Sequence, residues 1–145
     1  MRLEELSVII PTFNRAPLLK RAICSVLEQT VLPREIIIID DGSDDHTDDL
    51  VKSFTNHPAI KIVYQKQQNS GPAAARNRGI EISSSSILAF LDSDDHWHRN
   101  KIETQLQKHV KQERCRISHT REKWLRRGEH LNQKKKHLVT GEYIF

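Results

Sequence analysis

EIIIIDDGSDDHTDD, residues 35–49, decides the fold. Four consecutive isoleucines, Ile36 to Ile39, leave neither face of a strand polar, so the strand must be covered on both sides. Strands of that kind belong to parallel sheets sandwiched between helices. The run stops at Asp40 and Asp41, and Gly42 then turns the chain toward a helix for which Ser43 or Asp44 is a candidate N-cap. The two aspartates have two readings. They open the turn, or they place a carboxylate at a strand end, where it can accept hydrogen bonds from a ribose or a base edge.

The same alternation extends in both directions. Residues 6–10, LSVII, read as a strand and PTFNR as a turn, after which Leu18, Leu19, Ala22, Ile23, Val26 and Leu27 recur at helical spacing. Residues 60–65 alternate as a strand does. Residues 69–83 read as a helix opened by Gly71-Pro72, with Ala73, Ala74, Asn77 and Ile80 on its sheet-facing side. The serines at 83–86 form a loop, SILAFL (86–91) is a fourth strand, and Ile102, Leu106 and Val110 mark a fourth helix. The expected fold class is therefore α/β, a mostly parallel sheet with helices on both faces. Ligands of such sheets bind outside the carboxyl ends of the strands. PTFN, DDGSDD, NSG and DSDD each fall at one of those ends.

Residues 1–114 form one domain on this reading, and in 115–145 the period fades into short candidate strands. The balance of 37% hydrophobic and 29% charged residues is that of an ordinary globular chain. No apolar run reaches the roughly 20 residues of a membrane span, and MRLEELSVII does not suit a secretory signal. Cys24 and Cys115 have no paired spacing, so no zinc site or disulfide framework is indicated, and a cytoplasmic location is expected. Residues 1–95 carry 10 basic and 14 acidic side chains, whereas 96–145 carry 13 and 5. The basic run Lys134–Lys136 is a solvated surface or a charged patch for a partner.

DSDD, residues 92–95, is an acidic turn or a metal site. Mg²⁺ and Mn²⁺ are hard cations that take one or two protein carboxylates and complete their shells with water and phosphate. The D-x-D spacing lets Asp92 and Asp94 face one ligand, and the strand-end placement favours the metal reading. Phe13 covers a base or packs on the first helix. Arg76 contacts a diphosphate or forms a surface salt bridge. NSGPAAARNRG puts a glycine before a helix N-terminus, where N–H groups favour anions. It is neither a dinucleotide fingerprint nor a P-loop. Trp97 reads as core, and His96 and His98 as exposed. No arrangement for a covalent nucleophile can be assembled.

SVIIPTFNR (7–15), IIIIDDGSDDHT (36–47), NSGPAAARNRGI (69–80), LAFLDSDDHW (88–97) and KIETQL (101–106) together resemble the family 2 glycosyltransferases, inverting enzymes of the GT-A nucleotide-diphospho-sugar fold. The resemblance covers about residues 6–107, in the family's order and spacing. It implies that Pro11, Thr12, Phe13 and Asp41 surround the nucleoside, with Asp40 and Gly71 nearby and Arg76 by the nucleotide. It places Asp92 and Ser93 near the ribose or sugar, and makes Asp94, with Asp92, the protein ligand of Mg²⁺ or Mn²⁺. The implied donor is a nucleotide-diphosphate sugar, a UDP-sugar in the first place, and the implied acceptor a glycan or lipid-linked sugar. No nucleic acid is expected as a partner. The location implied is the cytoplasm or the inner face of the membrane.

One departure bears on chemistry. The family's catalytic base is a carboxylate in a later acidic motif, and Glu122, Glu129 and Glu142 stand in no such motif. The base is expected beyond Phe145, so the chain reads as the donor-binding part, truncated on the acceptor side. Two other classes were weighed: a non-catalytic nucleotide-binding or interaction module that self-associates through uncovered surface, and a phospho-accepting receiver. The receiver needs its acidic pair after the first strand, whereas Asp40 and Asp41 follow the second.

Overall fold

The computed structural model describes residues 2–111, 116–120, 123–126 and 129–131. Two compact units are distinguished, Met1–Ile102 and Glu103–Phe145. The first holds four strands, β1 (Arg2–Thr12), β2 (Leu32–Asp40), β3 (Lys61–Lys66) and β4 (Ile87–Phe90). Between them run α1 (Ala16–Leu27), α2 (Thr47–Lys52) and α3 (Pro72–Ile82). Helix α4 (Lys101–Lys111) starts at the end of this unit. The second unit also has a small antiparallel pair, β5 (Trp124–Arg126) and β6 (Glu129–Leu131). There Ser118 Oγ lies 3.0 Å from Gln105 Nε2 and 2.8 Å from His109 Nε2.

The sheet is wholly parallel, in the order β3-β2-β1-β4. Two crossovers step one way from β1 and the third returns past it, so right-handed connections put α1 and α2 on one face and α3 on the other. Burial agrees with the double covering. Ile9, Ile37 and Ile39 pack with Ala75 of α3 on one face. Val8, Ile10, Ile36 and Ile38, which alternate with them, are equally inaccessible, as are Leu19, Ala22, Ile23 and Val26 of α1. Each such isoleucine contributes about 1.5–3 kcal/mol of burial.

Two expectations are corrected, and β4 is described more closely. The sheet-facing residues of α3 are Ala75 and Gly79, while Ala73, Asn77 and Ile80 are exposed. A Cβ on Gly79 would lie 2.4 Å from Ile9 Cγ2, so the closest helix–strand approach decides which stripe faces inward. Strand β4 is a short edge strand bonded only to β1 among the described strands, and Ile87 and Phe90 are exposed. Finally, neither Ser43 nor Asp44 caps α2, whose N-cap is His46. Asp45 organises that turn instead: Oδ1 accepts the Thr47 N–H at 3.0 Å, and Oδ2 accepts the Ala16 N–H at 3.0 Å. It thus ties the starts of α1 and α2 together.

Trp97 is buried, His96 and His98 are exposed, and the Lys101 ammonium stands 4.2 Å from the Trp97 ring centre. Among the described residues no helix is long and apolar enough to cross a membrane. The basic run at 134–136, Cys115, Glu122 and Glu142 lie outside the described residues.

Candidate functional site

The strand order reverses between β1 and β4, and at such a switch point the loops after two neighbouring strands diverge and leave a crevice. Pro11, one residue before the end of β1, brings no ladder penalty. Pairing with β4 finishes at Ile9–Phe90, so the missing N–H falls past the last bond. Thr12 is buried, and its Oγ1 has no hydrogen-bond partner among the described residues. Phe13, three residues before α1, is 45% exposed. Asn14 adopts a left-handed φ of 50°. Its N–H donates to Ser43 Oγ at 2.9 Å, and its Oδ1 accepts the Asp44 N–H at 2.9 Å. The loops after β1 and β2 are thereby locked to each other.

After β4, residues 92–95 form a turn rather than a continuation of the strand. Ser93 is buried, Asp92 and Asp94 point outward with side chains about half exposed, and the Asp95 N–H closes the turn on the Asp92 carbonyl at 3.0 Å. Arginines relieve the repulsion between the two carboxylates. Arg76 of α3 pairs with Asp92 Oδ1 and Arg15 with Asp94 Oδ2, while Arg21 donates to the Asp94 main-chain oxygen at 2.8 Å. Of the two readings of Arg76, the salt bridge is the one observed, and it lies at the strand ends.

Asp40 and Asp41 behave differently. Asp40 is fully buried; Oδ1 accepts the Ser43 N–H at 2.8 Å and Oδ2 the Tyr64 hydroxyl at 2.6 Å. Burial, then the bond to Asp40, pushes the Tyr64 hydroxyl pKa far up. Asp41 accepts from Gln67 Nε2 at 2.7 Å, Ser70 N–H at 2.9 Å and Gly71 N–H at 2.8 Å. Burial alone would raise its pKa, but these donors outweigh it and hold the carboxyl below its ordinary value. Gly71 stands at φ 88° with open space where a Cβ would lie, so its left-handed backbone, not crowding, calls for glycine. It delivers the chain to the N-terminus of α3, which carries no side-chain cap.

The structure therefore gathers Thr12, Phe13, Arg76, Asp92 and Asp94 around the switch point, with Asp41 and Gly71 joining the loops beside it. Arg15, Arg21, Tyr64 and Gln67 were not anticipated. Tyr64 had a signal: it pairs with Ile38, putting it diagonal to Asp40 on one face. Arg15 and Arg21 had none, because their partner is 79 and 73 positions away.

An all-parallel 3-2-1-4 sheet with acidic and basic groups at its switch point defines a doubly wound α/β class, and the receiver's order is excluded. Within that class, the profile of Glycosyl transferase family 2 matches residues 7–142, and the chain belongs to that family. An uncharacterised glycosyltransferase of Rickettsia conorii is 46% identical over 116 residues, 80% of this chain and 19% of the relative. The chain spans about a fifth of the length of such curated relatives. The fold is GT-A. Superposition with a mannosyltransferase of Pyrobaculum calidifontis, solved with GDP-Man and Mn²⁺, gives a TM-score of 0.68 at 25% identity, covering 77% of this chain and 33% of that one. S. aureus TarS 1–349 in complex with UDP gives 0.66 at 26% identity, covering 75% and 33%.

Proposed function

We propose that this chain is the donor-binding part of an inverting glycosyltransferase, holding a nucleotide-diphosphate sugar, most simply a UDP-sugar, together with Mg²⁺ or Mn²⁺. The observation that carries the reading is the pair of outward-facing carboxylates at the switch point, each holding a guanidinium where a metal cation would fit. No cluster of three or more His, Cys, Asp or Glu side chains fit for a metal stands among the described residues. Asp92 and Asp94 therefore suit a cation that takes the rest of its shell from water and a ligand's phosphates. When bound, the cation supplies charge neutralisation to the diphosphate leaving group.

The chain's own groups divide the remaining tasks. The orphan Thr12 hydroxyl and the exposed ring of Phe13 face the nucleoside, and Asp41 fixes the loop that borders it. Arg76 and the uncapped N-terminus of α3 favour the diphosphate. Ser93, buried between the aspartates, holds them apart and outward. Inversion also needs a carboxylate to take the proton of the attacking acceptor hydroxyl, a glycan or lipid-linked sugar. We place that base outside the described residues. The site sits in residues 1–114, and 115–145 begin the acceptor side.

Calorimetry with UDP, in the presence and absence of MnCl₂, tests the reading. We expect Mn²⁺-dependent binding that Asp94→Ala weakens by about 100-fold, the upper end of what losing even an outer partner of a metal ligand costs. A folded sample that ignores UDP, or an Asp94→Ala variant that binds it unchanged, overturns the assignment.

A further inference from the structure

Asp94 is engaged twice by arginine, once at its carboxylate by Arg15 and once at its main-chain oxygen by Arg21. Arg15 is the N-cap residue of α1, but only its carbonyl serves the helix, accepting the N–H groups of Leu18 at 3.0 Å and Leu19 at 2.9 Å. Its side chain is left for another task and is 48% exposed. Its origin is fixed, because Asn14 beside it is clamped by Ser43 and Asp44. A salt bridge this exposed shifts an equilibrium by less than about tenfold, so it holds the carboxylate without locking it.

We propose that Arg15 is a diphosphate-binding residue which the metal-free chain keeps on Asp94. The inference rests on the donor-binding reading above. Arg15 and a divalent cation would compete for the same carboxylate, so the cation alone would bind weakly. Once the cation holds Asp94, the guanidinium is freed beside it, where its planar fork suits the phosphate oxygens of the same ligand. Metal and nucleotide then strengthen each other's binding by one common factor, as linkage requires. Arg21 is a positioning residue: it holds the main chain of Asp94 and leaves the carboxylate open to exchange.

The test titrates Mn²⁺ into the 145-residue chain, with and without UDP, reading free Mn²⁺ by electron paramagnetic resonance and folding by circular dichroism. Arg15→Ala and Arg15→Gln should bind Mn²⁺ alone about three- to tenfold more tightly, the worth of an exposed pair. They should bind UDP at saturating Mn²⁺ about tenfold more weakly, the worth of a charge-assisted bond. Arg21→Ala, which removes a nearby charge but frees no carboxylate oxygen, should tighten bare Mn²⁺ binding less than Arg15→Gln. If Arg15→Gln matches the parent in both titrations, or Arg21→Ala tightens Mn²⁺ equally, the proposal fails. Should the parent bind UDP with Asp94-dependent Mn²⁺ while the Arg15 variants stay unchanged, only the role of Arg15 is overturned. A parent indifferent to UDP and to Asp94→Asn brings down the donor-binding reading as well.

Discussion

The sheet carries carboxylates at both ends, and the two ends treat them in opposite ways. At the amino end, Glu35 is 1% exposed and enclosed. It accepts from Ser7 Oγ at 2.8 Å and from Ser84 Oγ at 3.1 Å, with Lys61 Nζ at 3.5 Å, while Ser83 and Ser85 bond Ser7 in turn. At the carboxyl end, Asp92 and Asp94 are about half exposed and held by one guanidinium each. A buried, saturated carboxylate resists exchange, because removing any partner strands a charge. A half-exposed one exchanges its partner at little cost. The difference separates an acid built into the core from one that, on the proposed function, is open to a ligand.

Substitutions at the two ends should therefore sort into stability and binding. Glu35→Ala, which takes away the acceptor of the buried Ser7 hydroxyl and leaves a gap in its place, should cost about 1–3 kcal/mol in urea unfolding and leave ligand affinity per folded molecule intact. Asp94→Ala should do the reverse, with unfolding within about 0.5 kcal/mol of the parent. Equal stability losses at both ends would break the comparison. Between the ends, Gly79→Ala drives a methyl into Ile9 and should cost about 1–3 kcal/mol, reduced by the better helix propensity of alanine.

Acid sharpens the contrast further. Burial raises the Glu35 pKa, but the Ser7 and Ser84 bonds and the charge of Lys61 bring it below its ordinary value. Asp41 and Asp45 are lowered in the same manner, burial opposed by hydrogen bonds. A carboxyl lowered on folding adds stability above its unfolded pKa and loses it as pH falls through the folded value. Unfolding midpoints should thus fall below about pH 4, and Glu35→Gln should flatten that fall. The smallest effect belongs to Arg76→Ala, which should change stability by no more than about 0.5 kcal/mol while weakening UDP binding.

Much of this was legible in residue order alone. Four isoleucines in a row called for a strand covered on both faces, and Ile36–Ile39 are buried completely. D-x-D called for exposed carboxylates on either side of an enclosed residue, and Ser93 is buried between the half-exposed Asp92 and Asp94. The errors fell where a contact between distant segments overrode a local pattern. Helix α3 has a weak apolar stripe, so its inward face was settled by the one position where Ile9 leaves no room for a Cβ. Asp45 took over the capping turn because the start of α1, 29 residues earlier, offered it a second donor.

The sequence by itself determined the strand–helix alternation, the parallel sheet and the strand ends at which polar residues gather, since periodicity and β-branching are local properties. Tertiary structure alone decided the strand order, the switch point between β1 and β4, and the arginine that each aspartate holds. Those depend on which separate segments meet, 79 positions apart for Arg15 and Asp94 and 16 for Arg76 and Asp92, and no local spacing encodes that meeting.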